Sequence, residues 1–295
     1  MHNHNSQDET NSRRIGLVFL LNFGFTIIEF IGGLLTNSTA IMADAVHDLG
    51  DSLSLGSAWL LSRWGQKTAN NEFTYGYRRL TLFGAFLNSI VLIAGSIWVL
   101  TQAIPRLSDP VMPVTEGMLA LAILGVTING LAAYRISKGS TMNEKVLNWH
   151  LLEDVLGWVA VLLVSVILQF VDWPILDPLL SVGFTLFILV NVIRNLWATG
   201  KIFLQAVPDK TLHDEIRHKL LNIDGISDIH HQHLWSLDGE QHVLTAHLVI
   251  EGSLENGRYN SIKDSVAETL KPFSLAHTTI EIELKQEYCR DESAQ

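Results

Sequence analysis

AIMADAVHDLGDSLSLGSAWLL, residues 40–61, decides the architecture. It has the length and overall apolar character of a membrane span, yet it carries Asp44, His47, Asp48 and Asp51. An ionisable group at the centre of a bilayer costs roughly 2.5–3.5 kcal/mol on insertion scales, so such groups mark ion paths rather than lipid-facing surface. A second stretch, WHLLEDVLGWVAVLLVSVILQF at 149–170, repeats the pattern with His150, Glu153 and Asp154. His47 and Asp51 stand four residues apart, and so do His150 and Asp154. That spacing puts each pair on one helix face, one turn apart.

Four further apolar blocks surround these two. Together the six run Ile15–Leu35, Ala40–Leu61, Leu80–Ile104, Val114–Tyr134, Trp149–Phe170 and Leu179–Ala198. Each approaches the ~20 residues that a helix needs to cross the hydrocarbon core. One such block alone reads equally as a buried core helix; six within 200 residues read as a membrane domain. Hydrophobic residues make up 48% of the 295 residues. The N-terminal MHNHNSQDETNSRR is polar and no small-residue cleavage site follows the first block, so that block is retained as a span. Nine Lys and Arg fall on one side of the six spans (Arg13, Arg14, Arg63, Lys67, Arg78, Arg79, Arg135, Lys138, Lys145), and Arg106 alone falls on the other. The positive-inside bias places both termini in the cytoplasm, and the short loops suit a bacterial plasma (inner) membrane.

After Val207 the apolar blocks stop. The expected layout is a disordered N-terminus at 1–14, a transmembrane domain at 15–207, a cytoplasmic domain at 208–288 and a disordered tail at 289–295. Thr211–Asn222 has helical spacing, Ile226–Ser236 and His242–Ile250 alternate as strands around Asp238-Gly239, Asn260–Leu270 is helical and His277–Leu284 is a last strand. The order αββαβ predicts a small ferredoxin-like α+β domain behind an all-α six-helix membrane bundle. From Asp209 onward there are 8 Lys and Arg against 16 Asp and Glu, most of the net charge of −10. Such a tail attracts cations and excludes nucleic acid as a partner. The single cysteine, Cys289, has no intrachain disulfide partner, which suits a reducing compartment.

Brought face to face, the two His-x-x-x-Asp pairs offer two nitrogens and two oxygens, a tetrahedral set suited to Zn²⁺; Cd²⁺ and Co²⁺ fit as well. Either pair alone serves equally to hold two helices together. Two identical pairs in separate apolar spans favour a transported ion. Metal ligands must be deprotonated to bind, which couples metal to protons. Asp44, Asp48 and Glu153 lie off the shared line and are expected to face a wet vestibule or to pair with Asn or Arg.

These residues resemble the cation diffusion facilitator family, above all its bacterial cobalt–zinc–cadmium exporters, with similarity to vertebrate zinc transporters. The matching stretches are EFIGGLLTNSTAIMADAVHDLGDSLSL, YGYRRLTLFGAFLN, NWHLLEDVLGWVAVLL, DPLLSV, IHHQHLWSLDG, LTAHLVI and HTTIEIE. The resemblance covers nearly the whole chain. It implies a homodimer in the lipid bilayer and antiport of Zn²⁺ against protons by alternating access. The transport site would be His47, Asp51, His150 and Asp154. A cytoplasmic zinc site is implied at His230, His247 and Glu283, with His233, His277 and Glu281 next; His231 is expected to face solvent. Two departures stand out: Thr81 follows Leu80 where the family often has Glu, and the loop between spans two and three has Glu72 but no His, so no zinc site is expected there.

Two other classes fit less well. An intramembrane metalloenzyme needs an open coordination position, and there is no His-Glu-x-x-His. A membrane metal sensor does not need acids buried in two spans.

Overall fold

A computed structural model describes the backbone of residues 4–65, 69–136, 142–252, 256–289 and 291, and the side chains of 19–57, 60, 61, 69–134, 151–252, 257–289 and 291. Six long helices come first: α1 His4–Thr36, α2 Thr39–Gly65, α3 Arg79–Ser108, α4 Thr115–Ile136, α5 Met142–Phe170 and α6 Leu176–Phe203. They are followed by α7 Lys210–Leu221, β1 Ile226–Ser236, β2 His242–Ile250, α8 Asn256–Leu270 and β3 Leu275–Leu284. The chain divides into two compact units, Met1–Trp64 with Phe83–Leu196, and Gly65–Leu82 with Trp197–Gln295.

Within the helical unit, α1, α3, α4, α5 and α6 are long and apolar enough to cross a membrane. The six long helices match the expected bundle, with one difference in composition among the described residues. The 27-residue α2 has the length, but Asp44, Asp48 and Asp51 keep it out of the apolar set. α1 also begins at His4 rather than near Ile15, so residues 4–14 are helical instead of disordered. That segment contains no Gly or Pro to stop the helix.

Two clusters hold the bundle. Phe25 of α1, Ile41 of α2, Met118 and Ala122 of α4, and Trp158 and Val161 of α5 form one. Val46 of α2, Leu92 and Val99 of α3, and Ile188 and Val192 of α6 form the other. Lipid tails are as apolar as leucine, so close packing rather than hydrophobic expulsion drives such contacts. Gly125 of α4 shows the tightness: a Cβ there would lie 2.1 Å from the Trp158 ring. Gly32, Gly33, Gly84 and Gly95 likewise sit where a Cβ would crowd Leu121, Met42, Leu61 and Val46. Apolar side chains such as Leu131, Leu163 and Phe187 point outward, as lipid-facing residues do.

The turn between α1 and α2 is fixed from two sides. Asn37 takes the left-handed conformation (φ 55), which Asn tolerates better than most residues. Arg106 of α3 clamps it, donating to the Asn37 carbonyl at 2.8 Å and to its Oδ1 at 2.7 Å.

The second unit carries a three-stranded sheet in the order β1-β2-β3, with β1 antiparallel and β3 parallel to β2. The parallel β2–α8–β3 crossover and the β1–β2 hairpin complete the αββαβ order. Leu244, Ala246, Leu248 and Ile250 point from β2 into a core shared with Ile216 and Leu220 of α7 and Ile262 and Val266 of α8. Thr245, His247 and Val249 alternate to the half-buried opposite face. Leu244 is fully buried. Leu244→Ala should therefore destabilise this unit by about 2–5 kcal/mol, read as a lower denaturation midpoint. An unchanged midpoint would refute this core assignment.

The sequence assigns the loop before α3 to the membrane domain, whereas it folds with the second unit. Arg78 lies 3.5 Å from Asp238 in the β1–β2 turn, and the Tyr75 ring meets His277 edge-on. Exposed pairs of this kind add little stability, but they fix position.

Candidate metal centres

The first centre is built on α2 and α5. Helical spacing stacks His47 over Asp51, with His47 Nε2 3.7 Å from Asp51 Oδ2. α5 brings Asp154 Oδ1 to 3.5 Å from the same nitrogen. Tetrahedral zinc with bonds of ~2.0–2.1 Å sets its ligand atoms about 3.4 Å apart. Both carboxylates therefore already stand close to that spacing from His47, and all three donor atoms lie within 4.8 Å of one another. Asp154 is nearly sealed, while His47 and Asp51 are 22% and 24% exposed. They open into a cavity of about 570 Å³ that Ser54, Asn88, Glu153, Asn191 and Asn195 also line. Asn88 Nδ2 donates to Ser54 Oγ at 2.7 Å. A cavity lined by amides, a hydroxyl and carboxylates gives an ion oxygen partners as it sheds water.

Glu29, Asp44 and Asp48 lie elsewhere than a vestibule. They are buried, at 0%, 3% and 5% exposure. Both Glu29 carboxylate oxygens and Asp44 Oδ2 lack a hydrogen-bond partner among the described residues. The charged groups acting on Glu29 are the carboxylates of Asp48, Asp44 and Asp154. Glu153, by contrast, lines the cavity as expected.

α2 is held at its start by a carboxylate from α6. Ser38 caps the helix, its Oγ accepting from Ile41 N at 3.2 Å. Asp177 accepts from Thr39 N at 2.7 Å, Thr39 Oγ1 at 2.8 Å, Ser38 Oγ at 2.5 Å and Ala40 N at 3.3 Å. The first N–H groups of a helix have no partner within it. Asp177 satisfies two of them across helices and complements the positive end of the dipole.

The second centre lies on the open face of the sheet. His230 of β1 pairs directly with His247 of β2, which pairs with Glu281 of β3. Glu283, two residues further along β3, shares the Glu281 face. His247 Nδ1 is 2.7 Å from Glu283 Oε1, and His230 Nε2 is 3.1 Å from Glu283 Oε2. A bulge between His230 and His233 inserts one extra residue in β1, with His231 left-handed at φ 48. The bulge turns the His231 ring onto those of His230 and His247, with centroids 5.3 and 5.1 Å away. His231 is thus half-buried rather than solvent-facing. Cys289 Sγ reaches 3.6 Å from His247 Nδ1.

Known proteins can be compared with this geometry. The family described as the cation efflux transmembrane domain matches residues 15–204, and its cytoplasmic domain matches 208–285. The chain belongs to the cation efflux family. Its members are the cation diffusion facilitators, a family of transporters, and the chain is a multi-pass membrane protein. It is 31% identical to the "Cadmium, cobalt and zinc/H(+)-K(+) antiporter" of Bacillus subtilis, over 96% of this chain and 91% of that protein. It is 32% identical to the "Zinc transporter ZitB" of Pectobacterium atrosepticum, over 99% and 91%. It is 29% identical to the "Metal cation efflux system protein CzcD" of Cupriavidus metallidurans, over 93% and 87%.

Of the four residues expected as a transport site from resemblance to the cation efflux family, His47, Asp51 and Asp154 converge. The side chain of His150, expected as the fourth, lies outside the described residues. In the tail, His230, His247 and Glu283 converge. Glu281 stands at the margin, with Oε2 3.8 Å from His247 Nε2. His233 is exposed beside Thr245, and His277 lies against Tyr75 and Thr279, away from the cluster. His242 opens β2 with its pKa lowered, mainly by burial and against the opposing pull of Asp238, so it stays neutral near pH 7. Cys289 was not among the expected ligands. The only sequence signal for it is a lone thiol five residues beyond a histidine- and glutamate-bearing strand.

Proposed function

We propose that this protein exports Zn²⁺, with Cd²⁺ and Co²⁺ as further substrates, from the cytoplasm in exchange for protons. The observation that carries the reading is the convergence of Asp51 and Asp154 on His47 Nε2, at 3.7 and 3.5 Å, with all three donor atoms within 4.8 Å of one another inside an apolar helical unit. His150, one turn from Asp154 on α5, completes the four ligands. Borderline-soft zinc suits imidazole plus carboxylate, whereas Mg²⁺ and Ca²⁺ favour oxygen alone. The names of the relatives, which include zinc, cadmium and cobalt, support the same substrates.

Export works by alternating access, with the site exposed first to one side and then to the other. Zinc entering from the cytoplasm displaces protons from the His and Asp donors. Protons arriving on the far side displace zinc and reset the site. Protein groups therefore do two jobs at the same atoms, holding metal or holding protons. Two copies act together as a homodimer, with both termini cytoplasmic in the plasma (inner) membrane. The cytoplasmic unit binds zinc through His230, His247 and Glu283 and senses its supply.

Purified protein in liposomes loaded with a pH indicator tests the coupling. Adding zinc should move protons in the opposite direction to the metal, with an initial rate that rises with zinc and vanishes without it. Zinc entry without any counterflow of protons would remove the exchange from this account.

A further inference from the structure

The cytoplasmic cluster has a fourth donor that comes from outside the matched family domain. That match ends at residue 285, and Cys289 lies beyond it. The chain folds back after β3, where Glu287 N donates to the Leu284 carbonyl at 2.9 Å and Leu284 N donates to Glu287 Oε2 at 2.7 Å. This turn lays Cys289 over the open face of the sheet. One donor atom each from His230, His247, Glu283 and Cys289 lies within 4.8 Å of all the others. His230, Glu283 and Cys289 line a cavity of about 460 Å³ with His231 and Tyr288.

Two contacts in the cluster are shaped for a shared ion rather than for each other. His230 Nε2 is buried and makes no hydrogen bond, although Glu283 Oε2 is only 3.1 Å away. Cys289 Sγ sits 3.6 Å from His247 Nδ1. With Zn–S of ~2.3 Å and Zn–N of ~2.0–2.1 Å, a tetrahedral ion places sulfur and nitrogen about 3.5 Å apart. The other ring nitrogen of His247 faces Glu281 at 3.8 Å and Asp291 at 3.7 Å, acids that hold a metal-bound imidazole in place.

We infer that Cys289 is a metal ligand, closing His230, His247 and Glu283 into a four-coordinate zinc site that pins the C-terminal tail to the sheet. The inference rests on the reading of those three residues as a cytoplasmic metal site. Four protein donors with no open position suit a structural ion, and this site lies in the unit that follows the membrane-spanning helices, so zinc here holds shape and is not cargo. The thiolate biases it toward Zn²⁺ and Cd²⁺ over harder ions. On binding, zinc displaces the thiol proton and separates His247 from Glu283, whose present 2.7 Å contact is a hydrogen bond.

Cobalt titrated into the full chain in detergent tests this. Cys289 is the only cysteine, so thiolate-to-cobalt charge-transfer absorption has a single possible source. The band should appear in the wild type and be absent in Cys289→Ser, with the matching binding step weakened at least about tenfold. Zinc should slow alkylation of Cys289 roughly tenfold, since the bound thiolate is no longer a free nucleophile. His247→Ala should remove that protection. If the wild type shows no such band but retains a cobalt-binding step that His247→Ala abolishes, the thiol is not a ligand and the three-residue site stands. If no binding step responds to His247→Ala, both readings fall.

Discussion

Asp154→Asn should lower zinc affinity at the transport site by at least about 100-fold and abolish zinc transport. Replacing groups that merely orient a metal ligand costs about 10–100-fold in affinity, and a ligand itself should cost no less. Asn keeps the shape of the side chain but removes its charge and one strong acceptor. His47 Nε2 would lose the carboxylate now 3.5 Å away and keep that of Asp51 at 3.7 Å. Isothermal titration on detergent-solubilised protein would report the affinity, and vesicle uptake the transport. Folding must be retained for the result to bear on the site, and an unchanged melting temperature would show that. A variant that binds and moves zinc like the wild type would remove Asp154 from the ligand set.

Asp177→Ala should destabilise the helical unit by about 3 kcal/mol or more. Hydrogen bonds to a charged acceptor contribute ~1.5–3 kcal/mol each, and a buried donor left without a partner costs ~1–3 kcal/mol. Asp177 receives four such bonds while only 1% exposed. Two come from backbone N–H groups that have no other partner at the start of α2. The substitution therefore frees the N-terminus of the helix that carries His47 and Asp51, so metal affinity should also fall. Asp177→Asn should lose less, because the amide oxygen still accepts. Thermal unfolding in detergent reads both variants, and equal melting temperatures for Asp177→Ala and wild type would show the cap to be dispensable.

Much of this architecture is legible from local patterns. The 3.6-residue spacing ties His47 to Asp51, and alternation around Asp238-Gly239 marks β1 and β2 within a residue of their ends. What depends on neighbouring elements is harder to read. Asp44 and Asp48 look like vestibule residues because periodicity alone cannot say which helix covers a face; the fold buries both, with Asp44 beside Gly157 of α5. Asp177-Pro178 reads as turn punctuation, and only the fold carries its carboxylate to α2. His231 changes surroundings because one bulged residue shifts the face of everything after it. Cys289 reads as part of a loose end because the turn after β3 depends on a single Glu287 carboxylate. The apolar character of α2 is also overestimated by its length, since the acids that give it function lower its hydropathy.

Turnover tests the central claim most directly. Wild-type protein reconstituted at a known number of copies per vesicle, with a pH gradient imposed, should accumulate many zinc ions per copy. The same vesicles carrying Asp154→Asn should accumulate none above protein-free controls. If the wild type binds zinc but accumulates no more than a few ions per copy, the protein is a metal sensor and the exporter account is wrong.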